Sequence, residues 1–217
     1  MKNQILENYS STATTYTRLA LRLANDLVKS DIGSSILIMA ADYDRVAVET
    51  TSELAWQLAD DQGYRVLLVD GSFNRLGLTK GLGGEQERGI RDLLATKNLS
   101  EDDVLATIRT TAHSEIGFIP VGSLNGPGLS PARADTLRQF LSITSQMADF
   151  VLIQGAVVDT ASLSLAFGAN VDAVLLVTLD GEIPVKKLES AQQVLSECGA
   201  DKIGIVIGTS RSSPQQS

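Results

Sequence analysis

The stretch Ile36-Leu37-Ile38-Met39-Ala40-Ala41-Asp42-Tyr43-Asp44-Arg45-Val46-Ala47-Val48 decides how the rest of the chain is read. Five apolar residues in an unbroken run predict a strand covered on both faces. A short polar turn follows, and then Leu54, Leu58 and Ala55, Ala59 recur at i, i+4, so a helix leaves the strand's carboxyl end. Strand, tight turn and helix in succession are the unit of a parallel α/β sheet.

The same unit recurs outward from there. Val66–Asp70, Ile116–Val121, Phe150–Gln154, Ala173–Thr178 and Ile203–Ile207 are further apolar runs. Helical spacing appears at Leu137, Phe140, Leu141, Thr144 and again at Val185, Leu188, Val194, Leu195. Ser130-Pro131 reads as a helix start, and Gly199 sits where a helix C-cap is expected. The expected architecture is a three-layer α/β sandwich, a mostly parallel sheet flanked by helices with right-handed crossovers. Residues 1–33 form an N-terminal helical segment with the stripe Tyr16, Leu19, Leu23, Leu27; residues 34–210 form the α/β domain; residues 211–217 are a disordered polar tail.

Composition limits the function classes. With 217 residues, 43% of them hydrophobic and 20% charged, the chain can bury one substantial core, and global disorder is excluded. No run of about 18 apolar residues and no signal peptide is visible, which places the chain in the cytoplasm. A net charge of −8 without any Lys/Arg cluster argues against nucleic acid. The single Cys198 excludes a disulfide framework and a cysteine zinc site, and reads as a small apolar filler near a helix end.

In open α/β sheets, ligands bind outside the carboxyl ends of the strands. The turn after Ala40 has the position, length and following helix of a nucleotide phosphate loop. Its chemistry is different: such a loop needs glycines for close backbone approach, a lysine for the phosphates and a hydroxyl for magnesium. Here Asp42 and Asp44 place carboxylates where phosphates would sit.

Residues 6–208 resemble the cytoplasmic kinase domain of bacterial tyrosine autokinases, in the deviant-Walker, P-loop NTPase-like branch that also holds the MinD/ParA ATPases. The resemblance rests on several segments in the family's order: Arg65-Val66-Leu67-Leu68-Val69-Asp70 with Arg75 after it, Gly89-Ile90-Arg91-Asp92-Leu93-Leu94, and Ile119-Pro120-Val121-Gly122. Ala148-Asp149-Phe150-Val151-Leu152-Ile153, Val171-Asp172-Ala173-Val174-Leu175-Leu176-Val177 and Gly204-Ile205-Val206-Ile207 complete it.

Laid on that pattern, the family's Gly-Lys-Ser/Thr triplet falls on Val46-Ala47-Val48. Of the second acidic motif Asp70 survives and Ser72 replaces its second aspartate. The Walker B aspartate is Gln154, and the asparagine after the last strand is Gly208. The polar tail has no tyrosine, and the Glu-x-x-Arg-x-x-Arg docking helix is reduced to Tyr16-Thr17-Arg18-Leu19-Ala20-Leu21-Arg22.

The resemblance therefore implies a catalytically dead site: a non-catalytic, pseudokinase-like protein of exopolysaccharide or capsule biosynthesis and export. It would hold no cofactor and no metal. It would scaffold or regulate a membrane-embedded copolymerase at the inner membrane, through Tyr16, Arg18 and Arg22 or the altered loop, with a homo-oligomer open. Two alternatives stand beside it. One is a nucleotide-binding kinase or ATPase in which Arg45, Asp70 and Arg75 supply the charge; the other is a MinD-like spatial regulator of a membrane machine such as cellulose synthesis.

The remaining candidates have bland readings. Asp42, Asp44 and Asp70 could converge on a divalent cation, but are expected to be loop charges plus one structural aspartate. His113 is read as a surface-loop residue, Gly81-Leu82-Gly83-Gly84 as a flexible surface loop, and Trp56 as half-buried rather than a partner anchor.

Overall fold

The computed structural model describes residues 12–28, 32–74, 77–84, 87–123, 134–160, 163–181 and 183–208. Seven strands form one sheet: β1 (Ser34–Ala40), β2 (Val66–Asp70), β3 (Arg109–Thr110), β4 (Ile116–Ile119), β5 (Phe150–Val157), β6 (Ala173–Leu179) and β7 (Ile203–Gly208). Their order is β3-β4-β2-β5-β1-β6-β7. All neighbours run parallel except the β3–β4 pair. The two-residue edge strand β3 is the element the periodicity misses, since a pattern needs about four residues to declare itself.

Every residue of β1 and β2 is buried, which explains why their sequences run apolar without alternation. Helices α1 (Thr12–Leu27) and α2 (Asp44–Trp56, continuing through a π-helical turn at Gln57–Asp61) cover one face. On the other lie α4 (Ile90–Ala95), α5 (Glu101–Leu105), α6 (Ala134–Met147), α7 (Leu165–Gly168) and α8 (Val185–Glu197). The short α3 (Leu78–Leu82) sits at the carboxyl ends of the strands.

Leu19, Leu23 and Leu27 of α1 are buried in the same apolar cluster as the inner face of α2, so the N-terminal helix is part of this domain's own packing. The Tyr16 hydroxyl meets Thr50 Oγ1 at 3.4 Å, and Ser34 Oγ donates to the Leu27 carbonyl at 2.6 Å. Gly199 follows α8 with φ near +90°, the left-handed conformation glycine adopts freely, and Cys198 is the half-buried residue before it. The expected helix start at Ser130-Pro131 and the tail 211–217 lie outside the described residues.

At the opposite end of the sheet the strands are tied by a charged clasp. Arg65 Nη2 donates to Asp149 Oδ1 at 2.8 Å, and its backbone N–H donates to Asp149 Oδ2 at 2.8 Å. The guanidinium hydrogen bond holds the Asp149 carboxyl below its ordinary value. Ser100 and Asp103 form a capping box at the start of α5. The Ser100 hydroxyl, aided by Arg88, lowers the Asp103 carboxyl to about 2.

Candidate functional site

Chain order reverses around β1: β5 and then β2 lie on one side, β6 on the other. The crevice outside the carboxyl end of β1 is therefore where such a sheet places a ligand. It is bounded by residues 41–43, the start of α2, and the ends of β2, β5 and β6.

The loop after β1 is closed by bonds within the protein. Ala41 N–H donates to the Val177 carbonyl of β6 at 3.0 Å. Asp42 accepts from Tyr43 N–H at 2.8 Å, and Thr178 Oγ1 lies 3.5 Å from its other oxygen. Asp44, the first residue of α2, accepts from Val157 N–H at 3.1 Å. That contact exists because β5 slips its register against β1 after Ile38 and runs on to place Val157 opposite Ala40. An aspartate in the first helical turn is also favoured by the helix dipole. Both loop carboxylates thus accept from protein donors while staying half-exposed.

Val46, Ala47 and Val48, on which the sequence resemblance lays the Gly-Lys-Ser/Thr triplet, pack toward the core. Val46 and Ala47 are 5% and 0% exposed, in the cluster formed by Ile36, Ile38, Leu54 and Val177. Val48 packs partly against the same cluster. Arg45, the cation that an unusual phosphate site would use, points into solvent and pairs with Glu49 at 3.4 Å along α2. Its partner is one turn away on its own helix, not in the loop.

Asp70 and Gln154 are both fully buried and lie opposite one another in the β2–β5 register. Asp70 accepts from Ser72 Oγ at 2.6 Å, Ser72 N–H at 3.2 Å and Thr79 N–H at 2.7 Å. Gln154 Oε1 accepts from Leu78 N–H at 3.2 Å, while its Nε2 donates to the Gly155 carbonyl. The first turn of a helix leaves its N–H groups without internal partners, and these two side chains cap α3 from β2 and β5. An amide suits the Gln154 position because it must accept and donate at once, which a carboxylate cannot do. Thr79 extends the network, its hydroxyl accepting from Val121 N–H at 2.8 Å.

Gly77, before α3, has no room for a side chain. A Cβ there would lie 2.3 Å from Asp70 Oδ1 and from Ser72 Oγ. Gly77, Thr79 and Val157 are the site residues that sequence reasoning does not connect, because each meets a partner elsewhere along the chain.

Asp42, Asp44 and Asp70 are therefore committed to three separate sets of donors. Among the described residues no group of three His, Cys, Asp or Glu side chains is placed to hold a metal ion. Arg75 lies outside the described residues. Of the N-terminal candidates, Tyr16 turns inward to Thr50, Arg22 pairs with Asp26 at 3.6 Å, and Arg18 is exposed.

Two other readings, at His113 and at Gly81-Leu82, differ from expectation, while Trp56 is half-buried as expected. His113 is no bare loop residue: its ring packs edge-on against Trp56 at 5.1 Å between centroids, and Nε2 lies 3.6 Å from Asp60. Trp56, 48% exposed, is the other half of that contact. Gly81 and Leu82 close α3, and only Gly83 and Gly84, with φ of 82° and 98°, lie in the loop that follows.

The chain has the fold of the P-loop ATPases. Its structure superposes on the kinase domain of the Escherichia coli tyrosine kinase ETK with a TM-score of 0.76, at 20% identity, covering 95% of this chain and 80% of that one. The VpsO kinase domain gives a TM-score of 0.68 at 18% identity, covering 92% and 95%. The MinD cell division protein of Aquifex aeolicus gives 0.63 at 14% identity, covering 81% and 69%. No protein-family profile and no curated protein sequence matches the chain.

Proposed function

We propose that this chain is a non-catalytic, pseudokinase-like member of the tyrosine-kinase branch of P-loop proteins. It would act as a scaffold or regulator in exopolysaccharide or capsule biosynthesis and export. Its partner would be a membrane-embedded copolymerase, reached at the inner face of the membrane through protein surfaces. No described helix is long and apolar enough to cross a membrane, so the association would run through that partner.

One observation carries the reading: Val46 and Ala47, on which the sequence resemblance lays the phosphate loop's glycine and lysine, are buried core residues. A lysine there would supply the charge facing the β- and γ-phosphates. The side chains of Asp70 and Gln154, at the positions that serve magnesium in the family, are used up in capping α3. The likeness to kinase domains supports the polysaccharide setting over a general ATPase role.

The test is calorimetric titration of ATP and ADP, with magnesium, into the purified protein, followed by co-purification with candidate copolymerases. No heat at millimolar nucleotide together with capture of a copolymerase is the expected result. Micromolar nucleotide affinity would overturn it. The likeness to MinD supports a second reading, a spatial regulator of another membrane machine. Capture of a component of that machine and no copolymerase would favour it.

A further inference from the structure

We draw no further inference here: the strongest candidate, the cleft along the outer edge of β7 between α1 and α8, borders an apolar strand left unpaired on that side among the described residues, and nothing in the structure shows what covers it.

Discussion

Replacing Ala47 by lysine restores the residue a phosphate loop needs and asks where that position points. If it faced a ligand cavity, the ammonium would reach solvent and the fold would be indifferent. Instead Ala47 is fully buried among Ile36, Ile38, Leu54 and Val177. Overpacking a filled core costs about 1–3 kcal/mol. A lysine depressed by about two to three pKa units adds roughly 3–4 kcal/mol at about 1.4 per unit. Part of the stem can extend toward the surface at the first turn of α2, which brings the net loss to about 3 kcal/mol or more.

Against a total stability of about 5–15 kcal/mol, that is a large fraction. Urea unfolding of Ala47→Lys should show a midpoint lower by more than about 1 M at slopes of about 2–3 kcal/mol per molar. The sign with pH is fixed. The folded state favours the neutral amine, so the deficit is largest at low pH and shrinks as pH rises toward about 10, where lysine is neutral in both states. Arg45→Ala, at an exposed ion pair with Glu49, is the control and should change stability by less than about 0.5 kcal/mol. An Ala47→Lys protein with the parent midpoint and a new affinity for ATP would refute the reasoning, because it would show a cradle still open at this position.

The remaining predictions concern the groups around the site and the clasp. Asp70→Ala strands two buried backbone N–H groups and the Ser72 hydroxyl, and should lose about 3–5 kcal/mol in urea unfolding; Asp70→Asn, which keeps one acceptor, about 1–2. Unchanged stability in Asp70→Ala would mean that the carboxylate serves a ligand and not α3. For Asp149, the carboxyl held low by Arg65 stabilises the fold when ionised, so its contribution is complete above the ordinary carboxylate range and is lost as pH falls. Asp149→Asn should therefore be about 1 kcal/mol less stable at pH 7, the pair being partly exposed, with the gap closing toward pH 3; a gap independent of pH would refute it. The single indole packs edge-on against the single imidazole, so His113→Ala should shift Trp56 emission and raise its quenching by iodide; an unchanged spectrum would refute the contact.

The strands are legible because their information is local. The unbroken apolar runs of β1 and β2 can only be buried on both faces, and the i, i+4 spacing after Ala40 can only be a helix against them. Those runs, their order, and the absence of glycine, lysine and hydroxyl at Val46-Ala47-Val48 are properties of the chain read in one dimension. They determine the α/β architecture and which side chains follow β1.

What those side chains do is non-local. Nothing near Asp70 announces that its partner is the N–H of Thr79, which meets it only when α3 folds back over the end of β2, nor near Gln154 that it meets Leu78, which requires β2 and β5 to lie side by side. Asp44 finds Val157 through a register slip between β5 and β1 that leaves no local pattern. Buried polar groups must find partners wherever the fold brings them. The sequence thus decides which side chains are available, and the tertiary structure decides which donor each of them satisfies.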